Sequence, residues 1–203
     1  MVIHVLRSTF AAALGLALLV PAAARAADAE KPAKPAEEMV ENPAYKAWAA
    51  YKPGTTVVLE STTDAGAQKL KMEMTQKLLE VSKDKAVVEV TTKLDLPGVP
   101  PQPAQKQTIP AKVKKSEAQT PGKMPPGAKG EMKEKGTEKI SVGGKSYECK
   151  VYEFTGEQNG VKSTGKIWQS EKVPGNLVKM ESNAKVGEQD MKSSMTATKI
   201  ETK

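Results

Sequence analysis

The chain has 203 residues and a formal net charge of +7 at neutral pH, with one histidine, His4, and one cysteine, Cys149. This length fits a single domain, and a lone cysteine excludes an internal disulfide. Lysines alternate with glutamates and lack the interleaved aromatic residues of a single-strand binder, so we expect no nucleic-acid partner. Without His4, which lies in the leader described next, the chain lacks the usual general base of a catalytic triad and the commonest zinc ligand.

Residues 1–26 have the three parts of a secretory signal peptide. Arg7 supplies a positive charge, Phe10–Val20 is an apolar run, and Ala24 and Ala26 are the small residues that a signal peptidase reads. We predict cleavage after Ala26 and a periplasmic or secreted location. The apolar run is shorter than the roughly 20 residues of a membrane-spanning helix, so we expect no integral membrane span after cleavage.

Next in the chain comes a segment with the composition of a disordered tether. Residues 27–41 consist mainly of Ala, Pro, Lys and Glu without an apolar period, and such a segment cannot bury enough surface to order itself. A single domain follows over residues 42–203. It is predicted to begin with a short helix, Pro43–Tyr51, because Asn42 suits an N-cap, Pro43 suits the first helical position, and Pro53 stops the run.

After Thr55 the apolar period becomes alternating, which predicts strands. Two-residue turns such as Gly143-Gly144 join them and require antiparallel pairing. The predicted fold class is therefore mainly β: a curved antiparallel meander sheet, half-barrel or open-barrel-like, of about eight or nine strands with one short N-terminal helix. The candidate strands are Thr55–Thr62, Gln68–Val81, Ala86–Leu94, Lys139–Val142, Ser146–Thr155, Val161–Ser170, Leu177–Val186 and Asp190–Thr202. We expect the sheet to curl around the helix, with Trp48 and Trp168 supplying bulk.

A Pro/Lys-rich stretch, residues 96–130, interrupts this pattern. It holds more than half of the chain's 14 prolines, which cannot donate ladder hydrogen bonds. We predict an extended loop, and its composition favours disorder over function. Within it, Gln107–Val113 is able to pair at a sheet edge.

Two patterns that mimic catalytic motifs have the wrong surroundings. Gly160–Lys166 matches the spacing of a phosphate-binding loop, but Ile167 follows where Ser or Thr is required, and the segment lies in a predicted hairpin strand. The aspartates fall at predicted turns and strand ends, where local hydrogen bonds explain them; they are Asp64, Asp84, Asp95 and Asp190. We therefore predict that the protein is not an enzyme, and carboxylate-based catalysis stays as an alternative.

Methionine provides the chemically suggestive pattern. Met72 and Met74 share a strand face, and Met180, Met191 and Met195 lie on the last two strands. With Cys149, which should point inward beside Tyr147 and Val151, these thioethers offer soft ligands of the kind that suit Cu(I). Methionine at alternating positions is more often a flexible filler of a ligand-accepting interior, so we predict no metal and no cofactor. The candidate ligand-binding residues, on the concave face, are Leu70, Met72, Met74, Val88, Val90 and Trp168.

The stretch from Gly143 to Ser182 carries a resemblance to known proteins. Gly165–Ser170 (GKIWQS), Val173-Pro174-Gly175 and Val178–Glu181 (VKME) resemble a run found in uncharacterised secreted bacterial β-rich proteins. More distantly, the run is similar to the curved half-barrels of periplasmic lipoprotein carriers. The resemblance implies a concave antiparallel sheet around a short helix, with an apolar interior for an acyl chain or a partner segment. It carries over no ligand residue.

These observations give a leading hypothesis for the function and, besides carboxylate-based catalysis, one alternative class of protein. The leading hypothesis is an exported, non-catalytic binding module that holds an apolar ligand or a protein segment on its concave sheet. The alternative is a structural envelope protein whose basic loops and tether associate with anionic cell-wall material. The expected partners are accordingly an apolar ligand or an envelope protein.

Overall fold

In the computed structural model, the described residues are 37–66, 69–96, 98–100, 102–118, 129–158, 160–186 and 189–203. The predicted signal peptide, residues 1–26, lies outside them. The described part contains one helix and eleven strands. They are β1 (Met39–Glu41), α1 (Pro43–Ala49), β2 (Thr56–Asp64), β3 (Lys69–Val81), β4 (Lys85–Leu94), β5 (Gln105–Pro110), β6 (Lys112–Lys114), β7 (Lys129–Val142), β8 (Lys145–Gln158), β9 (Val161–Gln169), β10 (Leu177–Val186) and β11 (Gln189–Glu201).

Nine of these strands form one antiparallel sheet in the order β5-β4-β3-β2-β11-β10-β9-β8-β7. Two meanders, β2 to β5 and β7 to β11, meet where the first strand of one pairs with the last strand of the other. Strands β5 and β7 are the free edges, and the sheet is not closed into a barrel. The predicted mainly β, open antiparallel architecture with one short helix is thus confirmed. The central pairing of β2 with β11 was not part of the prediction.

The C-terminal half of the sheet curls back on itself. Strands β7 and β11 are separated by three strands in the sheet order. Even so, a Cβ atom added to Gly143, which follows β7, would lie only 3.8 Å from the carbonyl oxygen of Thr198 in β11. Such proximity requires strong twist and curvature, which the bulges in β7, β10 and β11 promote.

Helix α1 has the predicted cap and covers one end of the sheet. The Asn42 side chain accepts a hydrogen bond from the Ala44 N–H at 3.0 Å, and Pro43 follows at the start of the helix. Trp48, with 4% of its surface exposed, packs in one cluster with Val57 and Leu78 of the sheet. The helix ends at Ala49, two residues before the predicted end.

A loop between β9 and β10 also contacts the helix. The Gly175 N–H donates to the Ala47 carbonyl oxygen at 3.0 Å, and Val173 is completely buried. Gly175 has a φ of +76°, and an added Cβ atom would lie 3.2 Å from the Trp48 ring. Glycine therefore suits this site on two counts: the backbone is left-handed, and the indole lies against it.

Two expectations about irregular segments need correction. The end of the expected disordered tether, residues 27–41, forms strand β1, which pairs with β6 and places the Asn42 N–H 2.9 Å from the Ala111 carbonyl oxygen. Residues 27–36 lie outside the described part. Within the proline-rich stretch 96–130, β5 pairs with β4 at the sheet edge, as the pattern of Gln107–Val113 allowed, and β7 already begins at Lys129. Residues 119–128 are not among those described.

Candidate functional site

Five of the six candidate ligand-binding residues share one face of two neighbouring strands. Directly opposed residues of an antiparallel pair point to the same side, and the register opposes Gln76 to Val90 and Leu78 to Val88. Since side chains alternate along a strand, Leu70, Met72 and Met74 of β3 lie on this same face. The five differ in burial: Val88 is 2% exposed and belongs to the core, Leu70 is 37% exposed, and the other three are half-buried.

Trp168 lies on a different strand, β9. Following the register from Met72 across the sheet gives Ser61, Met195, Met180 and then Ile167, so Ile167 is on the face of Met72. Trp168 is the next residue and lies beside the bulge between Leu177 and Lys179, where the register of the two strands shifts by one residue. It belongs to the same buried core cluster as Val88, against which Met74 and Val90 pack, whereas Leu70 and Met72 are not part of that cluster.

The environment of Trp168 is that of a structural anchor. Its side chain is 5% exposed, and its indole N–H donates to a Glu138 carboxylate oxygen at 2.7 Å. The Lys179 ammonium lies 4.7 Å from the ring centroid, a distance that allows a cation–π contact. The buried indole thus satisfies its only polar atom and is held at both its edge and its face.

Six methionines are on the same face as Met72. The register opposes Met195 to Met180, Met132 to Phe154, and Met191 to Ala184, and each of these pairs belongs to that side of the sheet. All six side chains are half-buried. We define the methionine face by these residues: Met72, Met74, Met132, Met180, Met191 and Met195. The sequence indicated five of them; Met132 was missed because β7 begins earlier than its residue pattern suggested.

Small hydroxyl residues lie between the methionines. Ser61 separates Met72 from Met195 in one cross-strand row, and Thr63, Ser193 and Ser182 form part of the next. These short side chains alternate with longer, flexible thioethers. The next residue in that row is Gly165, where an added Cβ atom would lie 2.7 Å from the Phe154 ring, so the aromatic ring covers the glycine.

The other face of the same strands is charged. The row next to that of Met72 runs through Lys71, Thr62, Ser194, Glu181 and Lys166. It continues to Glu153, whose carboxylate lies 3.2 Å from the Lys166 ammonium. The two sides of this part of the sheet thus differ sharply: one carries thioethers and hydroxyls, the other carries ion pairs.

Two clefts of the described chain are polar. One, of about 430 Å³, is lined by Tyr152, Lys150 and Glu171 among others, and the second, of about 400 Å³, includes Met72 with Lys71 and Glu73. Burial, and secondly the nearby Glu134 carboxylate, raise the pKa of Tyr152. Their charged linings do not suit an apolar molecule, whereas the open methionine face does.

The remaining reactive groups have structural surroundings. Cys149 is free and fully buried, as its inward position in the strand predicted, and burial raises the pKa of its thiol. Asp64 accepts a hydrogen bond from the Gly66 N–H at 3.0 Å, the turn role expected of it. Among the described residues, no three His, Cys, Asp or Glu side chains come together as a possible metal site.

Comparison with known proteins gives similarity of fold. No family model matches the chain, and no curated protein matches it. Among solved structures, an exported protein with a YmcC-like fold from Bacteroides fragilis is similar at 10% identity and a TM-score of 0.43, covering 74% of this chain and 97% of that one. A lipoprotein-sorting protein domain from Vibrio parahaemolyticus is similar at 10% identity and a TM-score of 0.27, covering 73% and 85%.

A protein of the DUF1329 family from Desulfovibrio piger is also similar, at 10% identity and a TM-score of 0.25, covering 74% of this chain and 86% of that one. The first two are described as an exported protein and a lipoprotein-sorting domain, which are the kinds of protein that the sequence resembles. We carry no ligand and no residue role over from them. Within the described residues, no helix has the length and apolar character needed to cross a membrane.

Proposed function

We propose that this chain is an exported, non-catalytic binding protein whose methionine face holds the acyl chain of a lipid. The observation that carries the proposal is the placement of six half-buried methionines on one side of a curved sheet whose other side is charged. Export rests on the leader in residues 1–26, which supplies the features of a secretory signal.

The shape of the face supports an elongated apolar ligand. The row from Met72 through Ser61, Met195 and Met180 to Ile167 crosses five strands. At about 4.8 Å between neighbouring strands, it extends about 19 Å, which is the scale of a long acyl chain. No charged side chain interrupts this row, so a hydrocarbon chain lying along it would bury apolar surface without desolvating an ion.

The residue types support a ligand of variable structure. Methionine has an unbranched, flexible side chain with a polarizable sulfur, and it adapts to differently shaped apolar partners. The alternating serines keep the surface shallow. An apolar segment of another protein would satisfy the same chemistry, and competition between a fatty acid and an apolar peptide separates these possibilities.

The test is displacement of a fluorescent fatty acid by palmitate, measured with wild-type protein and two matched variants. Met72→Glu adds a carboxylate on the methionine face, and Thr62→Glu adds one on the opposite face, directly across from Lys71. We expect Met72→Glu to weaken binding by about tenfold or more, because a buried unpaired charge is costly, and Thr62→Glu to change it less than about twofold. Absence of palmitate-displaceable binding, or equal losses in both variants, would refute the proposal.

A further inference from the structure

Six of the seven methionines of the described chain lie on the methionine face, and the seventh is Met39. The six are half-buried, so part of each residue is exposed to solvent. The Cys149 thiol is fully buried, and its burial raises its pKa, which leaves little of the thiolate that oxidants attack. An oxidant reaching this protein therefore meets methionine before cysteine.

We infer that the methionine face is a site of reversible sulfur oxidation, and that its oxidation releases the bound acyl chain. This inference rests on the proposed function, because it assigns a chemical control to the same surface. It adds a modification site, formed by Met72, Met180 and Met195 at the centre of the face.

The chemistry is an oxygen-atom transfer from a peroxide. The lone pair of the thioether sulfur attacks one oxygen of hydrogen peroxide, a sulfur–oxygen bond forms, and the oxygen–oxygen bond breaks. The sulfur loses two electrons to become a sulfoxide, the peroxide is reduced, and the proton of the transferred hydroxyl passes to the departing hydroxide to give water. Methionine sulfoxide reductases return the thioether with two electrons from a dithiol and release the oxygen as water, so the change is reversible.

A sulfoxide changes the face from apolar to polar at the point where the ligand lies. Its oxygen is a hydrogen-bond acceptor, which an overlying acyl chain would bury without a donor. In the unliganded protein the same oxygen remains open to water, because the methionines of the face are only half-buried. Oxidation is thus expected to weaken binding while leaving the fold intact.

The site also has an internal reference. Met39 lies on β1, in the separate two-stranded sheet, and is 55% exposed. It should oxidise at least as readily as the methionines of the face. Because it is not part of the nine-stranded sheet, its oxidation should have no effect on binding.

The experiment compares wild type, the triple variant Met72→Leu/Met180→Leu/Met195→Leu, and Met39→Leu before and after treatment with hydrogen peroxide. Peptide mass spectrometry locates the added oxygens, the displacement assay measures palmitate binding, and near-ultraviolet circular dichroism monitors the fold. Leucine keeps the apolar character and removes the oxidisable sulfur, so the affinity of each protein after treatment is compared with its own affinity before treatment.

We expect oxidised wild type and oxidised Met39→Leu to bind at least about tenfold more weakly, equivalent to about 1.4 kcal/mol, with unchanged circular dichroism and recovery after sulfoxide reductase treatment. The triple variant should lose less than about twofold of its own untreated affinity on oxidation. If wild type is oxidised at the three residues and still binds, or if it loses binding only as it unfolds, the inference fails and the proposed function stands. If the untreated protein never binds palmitate, the proposed function itself fails.

Discussion

The covered core beneath α1 and the methionine face occupy the same side of neighbouring strands but differ in cover. Beneath α1 and the β9–β10 loop, Val57, Leu78 and Val88 are at most 2% exposed. Further along β3, Met72 and Met74 point to the same side and remain half-buried. Alternation decides which side a residue occupies, whereas a packed helix or loop decides whether that side becomes core.

The residue types differ in the same way. Beneath the helix the side chains are leucine and valine, whose limited rotamers suit dense packing. Beyond it they are methionine and serine, which suit a surface that must adapt to a partner. A sheet side that is apolar and that no described element covers over several strands calls for an occupant, and this is the physical basis for proposing a ligand there.

Truncation of a side chain to alanine should give the largest difference in stability between the two regions. Leu78→Ala removes a fully buried side chain, and we expect the free energy of unfolding to fall by about 3 kcal/mol. Met72→Ala, on the half-buried face, should cost about 1 kcal/mol or less. Urea unfolding of both variants measures the difference. Similar losses would mean that the methionine face is part of the core.

A substitution in the β9–β10 loop, which covers the core, should have a smaller effect on stability. Gly175→Ala places a side chain on left-handed backbone and against the Trp48 ring, and we expect a loss of about 2 kcal/mol. Gly66→Ala is the matched control, since Gly66 has a similar φ of +72° but no atom within 4 Å of an added Cβ. Thermal or urea unfolding compares them. If the two variants lose equal stability, the contact of the added side chain with the Trp48 ring costs nothing beyond the strain of the left-handed backbone.

The charged face should respond to pH, and only slightly. Hydrogen bonds from Lys135 and then Lys166, at 3.0 and 3.2 Å, hold the pKa of the Glu153 carboxyl below its ordinary value. Since this pKa is lower in the folded than in the unfolded protein, the stabilisation is present above the unfolded pKa and is lost as pH falls through the folded one.

A side-chain NMR titration of Glu153 measures this effect. Lys135→Ala should raise the Glu153 pKa because the largest cause of its depression is removed. Palmitate binding, on the other side of the sheet, should be unchanged by the same substitution. An unaltered Glu153 pKa would show that the pair does not persist in solution.

Local signals in the sequence were enough to predict most elements. Asn42 and Pro43 mark the start of α1, and alternation with glycine-containing turns such as Gly143-Gly144 locates the long strands. Pairings between distant segments have no such signal. The β1–β6 pair and the central β2–β11 pair join residues far apart in the chain, and their register depends on the packing of the whole sheet.

The site was predicted in part for the same reason. Leu70, Met72, Met74, Val88 and Val90 lie on neighbouring strands joined by a tight turn, so alternation alone grouped them. Trp168 lies four strand positions from β3, beside a bulge between Leu177 and Lys179. Period-two alternation cannot relate faces across a long-range pairing, and a shift of one residue reverses them.

The central claim is that the methionine face is the ligand-binding surface, and NMR of protein labelled with ¹³C at the methionine methyl groups tests it most directly. On addition of palmitate, the methyl signals of Met72, Met180 and Met195 should shift together and saturate at a common concentration, while that of Met39 stays in place. Shifts absent from these three residues, or equally large at Met39, would contradict the account.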